Sequence, residues 1–183
     1  LKTDTEKLID ACKKQDPKAQ RMLYDRYSRM LLGICRRYCK DNMEAEDVMI
    51  QGFTKIFKQI DTYRGGNFEG WMKRVMVNEA INHFHQNKNK TWYNASDEEE
   101  AMQSPVLEVL EQLEYDELLS MIQSLPEGAR VVFNLFAIEG YHHHEIAQML
   151  GITEGTSKSQ YARAKHLLKN ILQKENKWKK EVI

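Results

Sequence analysis

A chain of 183 residues with 42% hydrophobic and 30% charged side chains can bury a real core as one domain or two small ones, and contains no apolar run long enough to span a bilayer. No signal peptide opens it, and its three cysteines cannot all pair with one another, so a cytosolic protein in a reducing compartment is expected. The zero net charge hides a split: residues 1–90 carry 18 Lys and Arg against 12 acids, residues 91–120 carry 9 acids and no base, and residues 121–183 carry 9 bases against 6 acids. Two basic blocks around an acidic connector fit two binding surfaces better than the average does.

The spacing predicts helix throughout and no strand. A first helix is expected over residues 5–14. Asp16 as cap and Pro17 at the first helical position open a second, running to about residue 39, with Leu23, Tyr27, Leu31, Ile34 and Tyr38 as its inner stripe. Cys35 and Cys39, four apart on that helix, read as buried thiols. Asp41 or Asn42 caps a third helix, in which Met49, Phe53, Ile56, Phe57 and Ile60 keep helical period. After a Gly65-Gly66 loop, Asn67 caps a fourth through residue 86, with Trp71, Val75 and Phe84 turned inward.

These helices make an N-terminal domain, residues 1–88. Residues 89–104 turn polar and then acidic, a flexible linker. Ser104-Pro105 restarts helix with Leu107, Leu110, Leu113 and Leu118 inward, and Pro126 opens another carrying Val132, Phe133, Leu135 and Phe136, ended near Gly140. Together with the remaining residues to the C-terminus, these two helices form a C-terminal domain, residues 105–183. The expected fold class is all-α, two small helical domains joined by a flexible linker.

Residues 144–150 then read as a short helix stopped by Gly151, and Thr153 caps a longer basic helix: a helix-turn-helix, the pattern that lays its second helix in a DNA major groove. Tyr161, Ala164, Leu168 and Ile171 give that helix an inward stripe. About half a turn away stand Thr156, Ser159, Arg163 and His166, with Gln160 beside them; Lys158, Lys165 and Lys169 flank the stripe and suit phosphates. Arg163 suits guanine bidentately, and Gln160 suits adenine.

An enzyme is suggested only by His142-His143-His144-Glu145. A zinc peptidase needs two histidines four apart around the glutamate, and Gln148 stands in the second place. The histidines are expected as an exposed cap and first turn. With neither a nucleophile triad nor a phosphate loop in the sequence, no catalysis, cofactor, metal or small-molecule substrate is expected.

Three ordered segments resemble the extracytoplasmic-function group of sigma factors, within the sigma-70 family, and the likeness covers nearly the whole chain. Ala45-Glu46-Asp47-Val48 with Gly52-Phe53 and Lys55-Ile56-Phe57 is similar to the family's region 2.2. Phe68-Glu69-Gly70-Trp71 with Arg74, Val77-Asn78 and Ala80-Ile81 is similar to regions 2.3 and 2.4. Leu125-Pro126-Glu127 onward, with Gly155-Thr156-Ser157-Lys158-Ser159-Gln160 and Arg163-Ala164-Lys165, is similar to region 4.

The resemblance implies transcription initiation. Glu46, Asp47, Gln51, Lys55 and Lys58 would face the clamp coiled coil of RNA polymerase core, whose flap would also be a partner. Tyr63, Arg64, Phe68, Lys73, Arg74, Asn78, Asn82, His85 and Lys88 would read and open the minus-10 element of promoter DNA. Thr156, Ser157, Lys158, Ser159, Gln160, Arg163 and Lys165 would grip the minus-35 element, and Asp97-Glu98-Glu99-Glu100 would thread a basic channel of the polymerase. An anti-sigma factor, often membrane-anchored in this group, is the expected inhibitor of a cytoplasmic bacterial protein. Relatives usually place Gln and an acid where this chain has Ile50 and Gln51, so core contacts at those two positions are expected to differ. They place an acid followed by arginines across residues 82–86, so a weaker or more selective promoter melting is implied. The competing reading is a stand-alone helix-turn-helix regulator that binds DNA without polymerase.

Overall fold

Side-chain caps set the first helices. The computed structural model describes residues 3–86 and 114–181, with side chains as far as residue 174, and every element among them is helical. By its contacts the chain divides into two compact units, Leu1–His83 and Phe84–Ile183. The expected acidic linker, the helix restart at Ser104-Pro105 and Lys88 lie outside the described residues.

In the first unit, helix α1 (Asp4–Lys13) opens on a reciprocal cap: Glu6 N donates to Thr3 Oγ1 at 3.2 Å, and Thr3 N donates to Glu6 Oε2 at 2.7 Å. Helix α2 (Pro17–Tyr38) starts where Asp16 Oδ1 accepts from Lys18 N. Helix α3 (Asn42–Gln59) starts where Asp41 Oδ1 accepts from Glu44 N, and a 3₁₀ turn, Ile60–Thr62, comes directly after it. Helix α4 (Phe68–Gln86) is capped by Asn67 Oδ1, which accepts from Gly70 N. Each cap satisfies a backbone donor that the first helical turn cannot.

The first core packs Leu23, Leu31, Val48, Ile56, Ile60, Met72 and Met76, all essentially inaccessible. It corrects the expected face of α4. Phe68, Met72, Met76 and Ala80 point inward, while Trp71 and Val75 are only half-buried; Phe84 is buried as expected. The reason lies on α3, where Gly52 leaves a gap filled by the Met76 thioether; a Cβ there would overlap its Sδ and stand 2.7 Å from its Cε. Flexible methionines fit such irregular gaps better than an indole does.

In the second unit, α5 (Tyr115–Gln123) leads to α6 (Glu127–Phe133), which runs on into a wide π turn, Asn134–Ile138. Arg130, 5% exposed, donates from Nη1 to Gln123 O and Leu125 O at 3.0 and 3.4 Å, supplying donors that the end of α5 lacks. The π turn is closed by Glu139 N donating to Asn134 O. Helix α7 (His143–Leu150) ends at Gly151, whose φ of 66° is left-handed, and α8 (Glu154–Glu181) begins three residues later. Only a glycine takes that backbone cheaply, so the sharp turn between the two helices is written at one position.

Candidate nucleic-acid and partner interfaces

On α8, Thr153 is the cap: its Oγ1 accepts from Thr156 N at 3.0 Å and lies 2.9 Å from Thr156 Oγ1. Ser157, Gln160, Tyr161, Ala164, Leu168 and Leu172 are buried along one stripe. This stripe begins a turn earlier than the spacing of apolar residues suggests and ends on Leu172 rather than on the half-buried Ile171.

Two expectations are thereby corrected. Ser157 is fully buried and its Oγ lies 2.9 Å from His143 Nδ1, while Gln160 is 1% exposed, so neither side chain is presented to a groove. Both sit three or four residues before the apolar stripe residues, on the face that must meet α7. His143 also departs from the expected exposed turn: its ring stacks on Phe136 at 4.3 Å and 13°, and Tyr161 packs against both. Burial, reinforced by the Lys158 charge and opposed by Glu154, holds the His143 imidazole below its ordinary pKa. Burial pushes the Tyr161 phenol up.

The accessible face of α8 carries Thr156, Lys158, Ser159, Ala162, Arg163, Lys165 and His166. Lys158 makes an exposed ion pair with Glu154 at 2.8 Å, which holds the Glu154 carboxyl below its usual range. Such an i,i+4 surface pair is weak and readily exchanged for another anion. Lys165 Nζ stands 5.0 Å over the Tyr161 ring, a cation–π contact that lays its stem along the helix. Ser159 Oγ donates to Thr156 O.

On α3 the outward face is Met43, Glu46, Asp47, Ile50, Gln51, Thr54 and Lys58, with Met43 74% and Ile50 56% exposed. Lys55 is different. It closes an ion pair with Glu79 of α4, an acid only 4% exposed that spacing alone does not single out. Asn82 Nδ2 donates to the same carboxylate at 3.5 Å. A charge set between Val77 and Ala80 is the available signal, since a glutamate on an inward stripe needs a partner.

Before and along α4, Arg64, Lys73, Arg74, Asn78 and His85 are exposed, and Tyr63 and Asn82 are half-buried. Phe68 is corrected: 5% exposed, it stacks on Trp71 at 5.6 Å and meets Tyr63 and Tyr27 edge-on, so its face is already covered. Tyr63 Oη donates to Gly66 O at 2.6 Å, and Lys13 Nζ donates to Tyr63 O, fixing the loop. Tyr63 and Arg64 line a hollow of about 360 Å³ with Glu6, Asp10 and Lys13. No helix among the described residues is long and apolar enough to cross a membrane.

Comparison with known proteins adds to this geometry. Residues 23–90 match the model for sigma-70 region 2, and residues 115–168 match that for sigma-70 region 4. The RNA polymerase sigma-H factor of Pseudomonas aeruginosa is 26% identical over 180 residues, covering 92% of this chain and 93% of that protein. The ECF RNA polymerase sigma-E factor of Haemophilus influenzae is 25% identical over 178 residues, with coverages of 91% and 94%. Among solved structures, the sigma factor RpoE of Bartonella quintana, in complex with the anti-sigma factor NepR, shares the fold with a TM-score of 0.50 at 18% identity, over 84% of this chain and 96% of that one.

Proposed function

The chain belongs to the sigma-70 family, in its extracytoplasmic-function group, and we propose from this that it is an alternative sigma factor, which binds RNA polymerase core, recognises minus-10 and minus-35 promoter elements and initiates transcription. The observation that carries the reading is the ordered presence of both regions, 2 and 4, in one chain. A stand-alone helix-turn-helix regulator would account for α7 and α8 and leave the α3 and α4 surfaces without a task.

The roles divide between the two units, residues 1–88 serving core and minus-10 binding and 105–183 serving minus-35 binding, with 89–104 as tether. On α3, Glu46, Asp47, Gln51 and Lys58 meet the clamp coiled coil; the exposed Met43 and Ile50 add apolar area to that face. Lys55 supports the face from below through Glu79. Arg64, Lys73, Arg74 and Lys88 carry phosphates past α4, while Tyr63, Asn78, Asn82 and His85 supply polar edges to bases that leave the stack. The hollow beside Tyr63 balances Glu6 and Asp10 against Lys13 and Arg64, which suits the polar edge of a base better than a phosphate.

At the minus-35 element, Arg163, Thr156 and Ser159 read bases and Lys158 and Lys165 hold phosphates. Tethering two contacts makes the second effectively intramolecular, so promoter binding depends on both elements being within reach. In this role the chain is not itself an enzyme: it lends specificity to polymerase. It acts in the bacterial cytoplasm, and an anti-sigma factor that covers the polymerase-facing surfaces is the expected regulator.

Run-off transcription with cognate core polymerase and sheared genomic template tests the proposal. Discrete new starts sharing two upstream elements, dependent on this chain, are the expected result. Failure to co-elute with core polymerase, together with specific DNA binding by the chain alone, would return the plain regulator.

A further inference from the structure

The first unit brings a sulfur, a carboxylate and an imidazole together from three helices. Cys39 is the C-cap of α2, Glu44 lies in the first turn of α3, and His83 lies in the last turn of α4. One donor atom from each lies within 4.8 Å of the other two. Cys39 is 2% exposed, and the Glu44 and His83 side chains are each 23% exposed, so the cluster is sheltered on the protein side and open on one flank.

The imidazole supplies a second observation. His83 Nε2 is buried and has no hydrogen-bond partner. Its neighbour Glu44 Oε2 is 3.9 Å away, beyond hydrogen-bond range. Buried polar atoms in native proteins are almost always satisfied, and one aimed at a carboxylate and a thiol calls for a ligand that accepts all three lone pairs. Glu44 is held in place for it: Oε1 pairs with Lys40 Nζ at 3.1 Å, and Oε2 accepts from Lys40 N at 3.2 Å.

We propose that Cys39, Glu44 and His83 form a binding site for one zinc ion, with the fourth position open to water. The donor set selects the metal, because thiolate plus imidazole suits zinc, whereas magnesium and calcium ask for oxygen throughout. Three protein ligands and an open position are a known zinc arrangement. With bonds of about 2.0 to 2.3 Å, tetrahedral donors stand roughly 3.3 to 3.8 Å apart, so side-chain rotations close the present cluster without moving a helix. On binding, the Cys39 S–H bond breaks, its proton goes to solvent, and the sulfur pair forms the bond to zinc. Cys35, one turn back, lies outside the three converging donors. A bound ion would pin the end of α4 to α2 and α3.

The site stands independently of the transcription reading, and the metal alone tests it. Metal-free full-length chain, kept reduced, is titrated with cobalt(II) and with zinc(II) against a chromophoric chelator. Expected are one ion per chain and a thiolate-to-cobalt charge-transfer absorption, both lost in Cys39→Ser. Affinity falls by more than about a hundredfold in His83→Gln and Glu44→Gln, exceeding the roughly 10- to 100-fold loss that follows removal of a mere outer partner. Cys12→Ser, on α1 and outside the cluster, leaves both unchanged. Zinc raises the melting temperature of the wild type and not that of Cys39→Ser. Circular dichroism checks each variant; where Cys39→Ser loses helix, the glutamine variants carry the test. Absence of the charge-transfer band, or an ion held equally well by His83→Gln and Glu44→Gln, would overturn the proposal.

Discussion

His143 Nδ1 on α7 and Ser157 Oγ on α8 lie 2.9 Å apart, joining the two helices of the helix-turn-helix through a polar contact buried on its serine side. The contact involves a neutral ring, since burial holds the imidazole below its ordinary pKa.

That direction of shift makes the second unit pH-dependent. The unfolded chain takes up the His143 proton first, so the folded second unit loses stability as pH falls from about 6.5, the ordinary imidazole value, toward the lower folded value. Above that window the contribution is fully present. Protection factors of α7 and α8 amides, corrected for intrinsic exchange, should therefore be lower at about pH 5.5 than at about pH 7.5, by more in the wild type than in His143→Gln. An equal fall in both would assign the effect to other groups.

Arg163 and Gln160 differ by three positions and should fail in different ways. Arg163→Ala is expected to cost about 1–3 kcal/mol on a minus-35 site and little on scrambled DNA. Gln160→Ala, at a buried position, should instead lower unfolding stability by about 1–3 kcal/mol and leave sequence preference alone. Paired binding isotherms and melting curves separate the two; a preference altered by Gln160→Ala would restore it as a base reader.

The Lys55–Glu79 pair is asymmetric in burial, and its variants should be too. Lys55→Ala strands a buried carboxylate and should destabilise the first unit by about 1–3 kcal/mol. Glu79→Gln, which keeps an acceptor and releases a lysine that can reach water, should cost less. Chemical denaturation of both decides it, and the reverse order would mean that Lys55, not Glu79, is the constrained member.

Asn78 stands exposed on α4. Asn78→Ala should leave core-polymerase affinity within about twofold, because surface changes off a contact alter energies by only a few tenths of a kcal/mol. Permanganate reactivity of minus-10 thymines should fall. Normal strand opening with impaired core binding would move the residue to the other surface.

Much of this architecture is legible in the chain. Asp16-Pro17, Asp41, Asn67, Gly151 and Thr153 mark turns and caps by local chemistry alone, and the structure uses each of them where it stands. What spacing cannot deliver is the rotation of a helix about its own axis. Phe68, Ser157 and Gln160 read outward from their chemistry, and all three are buried, because polarity or aromaticity suggests a use while only a neighbouring helix decides a face. Val75 and Met76 are adjacent, and it is Met76 whose thioether fills the space that Gly52 leaves on another helix. The partners of Glu79 and Arg130 are hidden in the sequence for the same reason: Lys55 and the Gln123 and Leu125 carbonyls become their neighbours only after folding.

The wide turn at Asn134–Ile138 acts as a phase slip. One extra residue in a turn advances everything after it by about 100° relative to a regular helix. Phe136, inside the turn, stacks on the His143 ring, and Tyr141 N reaches Leu135 O across the widened loop. Deleting a single residue here would leave composition and hydrophobicity almost untouched while swinging the aromatic stack out of line. The length of this segment, rather than its chemistry, sets the phase at which the chain leaves it for the left-handed Gly140 that precedes α7.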